Sequence, residues 1–340
     1  MRYLITGHTG FKGSWLSLLL SENGHSVSGI SLEPNSSSLF KSANLHDIFD
    51  HDLRVDIRDL PSLKSAVELA DPEVVIHLAA QPLVKESYLN PVTTYETNVI
   101  GTLNLLESTR ELKKLKAILI ITTDKVYKQS EMSQSFTESM QLGGDDPYSA
   151  SKAAADIATQ SWRKSFGKVP IAIARAGNVI GGGDWAEDRL MPDLVRSVNS
   201  GQRLNLRNPN SVRPWQHVLD CLNGYLCLIN CELTTGLEGE WNFGPDLNER
   251  KTVLEVVDEF NKNWQDKKVF FDHVAGSSFL ESNYLVLDSS KAKSQLSWTE
   301  ILNFEESIAW TVDWYKCSMN NGAREKTIEQ IHKFTNNINL

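Results

Sequence analysis

The sequence predicts an α/β protein built on a doubly wound parallel sheet, followed by a smaller, mixed α/β C-terminal portion. Two observations carry that prediction. Short β-branched runs alternate with helix-patterned stretches from residue 2 to about 175, and a spaced glycine triplet stands between the first run and the first helix. Alternation of this kind implies right-handed crossovers joining parallel strands.

The first strand is expected at 2–6 and runs into the loop Gly7-His8-Thr9-Gly10-Phe11-Lys12-Gly13. A helix over 12–23 follows, with Leu16, Leu19 and Leu20 recurring on one face. Strands at 26–31 and 52–56, a helix at 61–69 and a strand at 74–78 continue the alternation. It then gives a helix over 94–112, a strand over 117–123, a helix over 148–166 and a strand over 169–175. The run Ala117-Ile118-Leu119-Ile120-Ile121 has no polar alternation, so that strand is buried on both faces, as in the middle of a parallel sheet. Beyond 176 the rhythm changes. Loops rich in Gly, Asn, Pro and Arg occupy 177–216, around helices at 187–200 and 217–233, and short strands are expected at 241–243, 268–272 and 283–287. The expected organisation is a nucleotide-binding domain over 1–176, a second, ligand-binding domain over 177–325 with interleaving left open, and a tail over 326–340, a helix fraying through Asn336-Asn337-Ile338-Asn339-Leu340.

With 340 residues, 41% of them hydrophobic, the chain can bury a sizeable core. A formal net charge of -9 gives no footprint for nucleic acid. Cys221, Cys227, Cys231 and Cys317 have no metal-ligand spacing and read as reduced thiols, so no metal is expected. There is no basic stretch followed by an apolar leader, and no segment has the length of a membrane span. A cytoplasmic protein with no membrane partner is expected.

Gly7, Gly10 and Gly13 have GxxGxxG spacing between a strand and a helix. Glycine is needed there because the backbone turns tightly and approaches a pyrophosphate, whose charge settles on the helix N-terminus. This is the Rossmann arrangement, and it makes Gly7, Thr9, Gly10, Phe11, Lys12 and Gly13 candidate cofactor contacts. A carboxylate at the end of the second strand would favour NAD. Ser31 stands there instead, Glu33 is the nearest acid, and Lys12 could tolerate a 2′-phosphate, so NAD is expected with NADP left open. Asp56 and Ile57 after the third strand, Ala79, Ala80 and Gln81 after the fourth, and Asn98 on the next helix complete the cofactor candidates, a purely structural role being equally open for them.

Thr122-Thr123-Asp124-Lys125 lies at the carboxyl end of the strand over 117–123, the edge where open α/β sheets bind ligands. In "DDPYSASKAAAD", Pro147 suits a first helical turn, and Tyr148 and Lys152 project from one helix face about 6 Å apart. An ammonium held near a phenol stabilises the phenolate, which makes a base.

These motifs, with "HLAAQPLV", "TNVIGTLNLLE", "RAGNVIGGGDWAEDRLMPD" and "RPWQHVL", resemble the extended short-chain dehydrogenase/reductase family and, within it, the nucleotide-sugar 4,6-dehydratase group, in the branch acting on CDP-glucose. The resemblance implies a tightly held NAD that is not consumed, transient oxidation at C4, loss of water across C5 and C6, and return of hydride to C6. It makes Tyr148 the base for oxidation, Lys152 the group that lowers its pKa, Thr123 the partner of the 4-oxygen and Asp124 the acid that protonates the departing 6-hydroxyl. Lys125 stands where the dTDP-glucose enzymes carry a glutamate that takes the C5 proton. Either burial and the nearby Lys152 hold Lys125 neutral and it is the base, or it stays charged and stabilises the enolate oxygen. For the substrate's diphosphate, Arg207 and Arg213 offer planar forks, Arg213 the better placed, with Asn178 and Arg189 nearby. The helices at 94–112 and 148–166 resemble the family's subunit contacts, so a homodimer or homotetramer is expected, a purely core role for both helices being equally open. A 4-epimerase would share Thr123, Tyr148 and Lys152 but would not need Asp124. A nucleotide-sensing protein that had lost its chemistry would lack Tyr148 or Lys152.

Overall fold

The structure, a computed structural model, describes residues 1–129, 135–273, 284–319 and 321–337. Its main sheet has seven strands, β1 (Arg2–Thr6), β2 (Ser26–Ser31), β3 (His51–Arg54), β4 (Val74–His77), β5 (Ala117–Ile121), β6 (Ile171–Ala176) and β7 (Gly239–Phe243). They lie in the order β7-β6-β5-β4-β1-β2-β3, every neighbouring pair parallel. The winding direction reverses between β1 and β4, and ligands of such sheets bind in the crevice at that reversal.

The longer helices are α1 (Phe11–Glu22), α2 (Leu60–Ala70), α3 (Gly101–Thr109), α4 (Pro147–Phe166), α5 (Leu190–Ser200), α6 (Val218–Thr235), α7 (Val253–Trp264), α8 (Phe304–Ser318) and α9 (Ala323–Asn337). Period-two alternation in the strands feeds two cores. Leu119, Ile121, Ala172 and Ala174 pack with Leu16 and Leu19 of α1 and Leu222 and Tyr225 of α6, whereas Ile118, Ile120, Ile171 and Ile173 pack with Leu63 and Val67 of α2 and Leu105 and Leu106 of α3. All five residues of β5 are buried, as its sequence requires. Each such Leu or Ile contributes about 1.5–3 kcal/mol of burial, so the strand that ends at Ile121 is among the firmest parts of the sheet.

Several expectations shift. The helix expected over 94–112 is α-helical at Pro91–Tyr95, winds through one wider π turn at Glu96–Ile100, and resumes as α3. The strand expected at 241–243 is the end of β7, which pairs with β6 from Gly239↔Ala172 to Phe243↔Ala176, so chain from beyond residue 176 completes the nucleotide-binding sheet. The strand expected at 268–272 is found at Phe271–His273, parallel to Leu204–Leu206. Of the strand expected at 283–287, residue 283 lies outside the described residues, and Tyr284 and Leu287 make isolated bridges to Val212 and Phe136. In the tail, α9 runs to Asn337, and residues 338–340 lie outside the described residues. Among the described residues no helix is long and apolar enough to cross a membrane, no group of three His, Cys, Asp or Glu could hold a metal ion, and all four cysteines are free thiols.

Candidate active site

The glycine loop is shaped by two close approaches. Gly7 has φ +75° and lies so near the end of β4 that a Cβ would sit 2.7 Å from the Ala79 amide nitrogen. A Cβ on Gly13 would fall 2.2 Å from the Gly7 carbonyl oxygen. The Gly10 amide donates to the Gly7 carbonyl at 3.0 Å, and α1 opens at Phe11 without a side-chain cap. Its first amides are left for an anion, and the helix dipole favours one there.

Around this cradle the candidate cofactor residues separate. Thr9 and Ser31 share a 2.6 Å hydrogen bond at the end of β2, and Glu33 is 77% exposed and paired with Arg54 at 3.6 Å. Phe11, Lys12 and Ala80 line the main cleft. Asp56 is held by Arg58 at 2.6 Å, and Ile57 is part of the core. The Ala79 amide donates to Thr6 Oγ1 at 3.3 Å. Gln81 and Asn98 hold one another: the Gln81 amide donates to Asn98 Oδ1 at 2.8 Å, and Asn98 Nδ2 donates to Ser151 Oγ, also at 2.8 Å. Asn98 thus ties the loop after β4 to α4. Lys12 corrects an expectation, for its Nζ does not turn toward the end of β2 but donates to the Tyr225 hydroxyl at 3.2 Å, inside the cleft shared with Asp124 and Arg189. Burial pulls its pKa down.

The catalytic candidates come together at the end of β5. Asp146 caps α4, accepting from the Ser149 amide at 3.0 Å, and Pro147 fills the first turn, where no amide is needed. That start sets Tyr148 and Lys152 on the face toward β5. Thr123 Oγ1 donates to Asp124 Oδ1 at 2.9 Å and is hydrogen-bonded with the Tyr148 side chain. A continuous chain of polar groups therefore runs from the phenol through the hydroxyl to the carboxyl. Asp124 is buried, and its Oδ2 has no hydrogen-bond partner among the described residues. A Cβ on Gly177 would come within 3.1 Å of that oxygen. Burial raises the carboxyl's pKa, against the pull of the Lys125 charge, the Thr123 hydrogen bond and Arg213. An unpartnered oxygen on a desolvated carboxyl is suited to carry a proton. Lys125 is half-buried, its amide 3.4 Å from Thr123 Oγ1, and it lines the cleft.

The phenol and the amine depart from expectation. Lys152 Nζ donates to the Ile121 carbonyl at 2.8 Å rather than to Tyr148. Burial pushes Tyr148 up to about 12, against the Thr123 hydrogen bond and the charge of Arg189. Burial and the charge of Lys12 push Lys152 down to about 7, Asp156 pulling the other way. Burial is the largest influence on the phenol, and the amine directs one of its donors to the strand's carbonyl.

The cleft holds about 580 Å³ and is walled by both halves of the chain, with Thr123, Asp124, Lys125, Tyr148 and Lys152 on one side and Asn178, Arg189, Arg207 and Arg213 on the other. Arg189 pairs with Asp184 at 3.1 Å, and Arg213 donates to its neighbour's carbonyl at 3.0 Å. Sequence reasoning assigned no role to Lys85, Asp184 or Ser211, which also line the cleft. Asp184 stands inside "GGGDWAEDRL", five residues before its arginine partner, a pairing that only the folded loop brings about. Lys85 reaches Asp188 at 3.6 Å across the cleft, a contact between distant segments that leaves no local signal.

The family profile for GDP-mannose 4,6 dehydratase matches residues 4–311. The chain is 44% identical over 328 residues to the CDP-glucose 4,6-dehydratase of Salmonella typhimurium, covering 93% of this chain and 90% of that protein. It is 30% identical over 345 residues to the dTDP-glucose 4,6-dehydratase of Haemophilus influenzae, covering 93% of this chain and 98% of that protein. Among solved structures, the dTDP-glucose 4,6-dehydratase of Bacillus anthracis in complex with NAD superposes with a TM-score of 0.79 at 26% identity, over 94% of this chain and 98% of that one. The UDP-glucuronic acid 4-epimerase of Bacillus cereus, at 24% identity and a TM-score of 0.81 over 93% of this chain and 99% of that one, shares the fold.

Proposed function

The chain belongs to the GDP-mannose 4,6 dehydratase family, and from that premise we propose that it converts CDP-D-glucose to CDP-4-keto-6-deoxy-D-glucose and water, with NAD as its cofactor. The observation that carries the reading is the buried chain from Tyr148 through Thr123 to Asp124, which ends in a desolvated carboxyl with one unpartnered oxygen. An oxidation alone would need the phenol and the hydroxyl. The carboxyl is what expelling a hydroxyl adds, and a 4-epimerase would leave it with nothing to protonate.

The cradle fits a dinucleotide, because a Cβ at Gly7 or Gly13 would occupy the space where loop and strand meet. NAD, when bound, supplies the hydride acceptor at C4 and the donor at C6. Tyr148 takes the proton of the 4-hydroxyl, and Thr123 holds the 4-oxygen. The ketone so formed acidifies C5–H, Lys125 in its neutral form or water takes that proton, and Asp124 passes its own proton to the 6-oxygen as the C6–O bond breaks. Arg189, Arg207, Arg213 and Asn178 hold the diphosphate from the opposite wall. Gly13→Ala is expected to lower the NAD retained on purification about tenfold or more, read by releasing the nucleotide on denaturation.

The test is incubation with CDP-, dTDP-, UDP- and GDP-glucose, with and without added NAD, and identification of products by mass. Loss of one water from CDP-glucose alone supports the reading, and loss from none of the four removes it.

The same reading includes a homodimer. Val92, 70% exposed, and Ile157, 55% exposed, stand with Leu89 and Ile100 on helices around 84–109 and on α4. Apolar residues exposed together on adjoining helices mark an association surface. Val92→Asp is expected to shift the species in sedimentation from dimer to monomer at micromolar concentration.

A further inference from the structure

Lys152 and Asp156 lie one helical turn apart on the buried face of α4. Both are tied to the end of β5, Lys152 Nζ donating to the Ile121 carbonyl at 2.8 Å and Thr122 Oγ1 donating to Asp156 Oδ2 at 3.2 Å. Successive turns of the helix are thus stitched to successive residues of the strand, and the next two residues are Thr123 and Asp124.

Asp156 is itself fixed from the other side. Arg175 on β6 grips it with two hydrogen bonds of 2.8 Å, one from Nε to Oδ2 and one from Nη2 to Oδ1, and both side chains are buried. Gln160 Nε2 donates to Oδ1 at 2.8 Å, so the carboxylate has four donors. The remaining end of Arg175 donates to the Tyr127 hydroxyl at 3.0 Å and to the Glu138 carbonyl at 3.2 Å, and Tyr127 donates to Asn242 of β7 at 2.6 Å. A buried ion pair is weak evidence for stability, because desolvation offsets most of its attraction. A fork closed on both faces does constrain geometry.

We propose that Asp156, oriented by Arg175, is a positioning residue that sets the register of α4 on β5 and thereby the meeting of the Tyr148 phenol with the Thr123 hydroxyl. The proposal rests on the dehydratase reading, in which those two groups act on one sugar oxygen. Thr122 is its adjustable joint: the ion pair holds the carboxylate still, and the Thr122 hydroxyl transmits that position to the strand.

The test is Thr122→Val, which keeps the side chain's volume and the ion pair but deletes the donor. Misplacement of about 1 Å can cost about 100-fold, so kcat is expected to fall about 10- to 100-fold, with KM and bound NAD within about twofold of the parent. Thr122→Ser, which restores the donor, is expected to recover kcat to within about threefold. Should the valine protein not fold, Asp156→Glu, which keeps a charge opposite Arg175 but moves the acceptor by one methylene, is read by the same split. A kcat within twofold of the parent, or a fall matched in proportion by KM and NAD content, overturns the proposal. An inactive parent with all four nucleotide sugars would instead overturn the dehydratase reading, so the two failures are distinct.

Discussion

Tyr148→Phe removes one oxygen and is expected to slow product formation by about 1,000-fold or more, with fold and bound NAD unchanged. The phenol ring stays, so the packing at the start of α4 is kept. What is lost is the group that takes the 4-hydroxyl proton and the hydrogen bond it shares with Thr123. Because burial holds that phenol at about 12, positive charge in the cleft is what makes it a usable base, and Arg189 already acts in that direction. Lys152, brought down to about 7, stands at the edge between charged and neutral under the same conditions. The check is single-turnover mixing with CDP-glucose, following both the reduced cofactor and the product. The loss must appear in the oxidation step itself. Oxidation at the parent's rate with product formation alone reduced would move Tyr148 out of the first step.

The sheet was legible because its central strands are buried on both faces, so apolar runs such as 117–121 and 171–174 have no competing pattern. The glycine loop was legible for a different reason, since two of its glycines have no room for a Cβ. The second half was harder. Helices α7 and α8 open on capping boxes, Thr252 with Glu255 and Asn303 with Glu306, yet neither helix was expected, because the sequence reading did not use these local signals. What leaves no local signal is the pairing of β7, whose strand was expected at 241–243 but whose partner β6 is more than sixty residues away. In the site, residue types and their edge of the sheet could be read from sequence, but the directions of their donors could not. Lys152 donates to Ile121 and Lys12 turns to Tyr225, outcomes set by which elements pack beside them. Asn98, Gln81 and Ile57 sit where cofactor contacts were sought, and packing also gives each a protein partner.

Asp124→Asn and Lys125→Ala are expected to divide the reaction after its first step, leaving oxidation at C4 and slowing loss of water by about 100-fold or more. For Asp124 the cause is the proton. Its carboxyl is desolvated, one oxygen is unpartnered, and the amide keeps the shape and the Thr123 contact but has no acidic proton to give. For Lys125 the cause lies in its position. It lines the cleft beside that carboxyl, and its positive charge is among the forces drawing Asp124 down. The same charge can steady an enolate oxygen at C4, and the same nitrogen, once neutral, can take the C5 proton. Lys125→Glu separates these roles. A carboxylate can accept a proton but repels an enolate, so elimination that returns above the alanine variant assigns proton removal to Lys125, and elimination that falls below it assigns the charge. The readout is accumulation of reduced cofactor with little keto-deoxy sugar. Water loss at the parent's rate in Lys125→Ala would remove the lysine from both roles and leave the C5 proton to another group or to water.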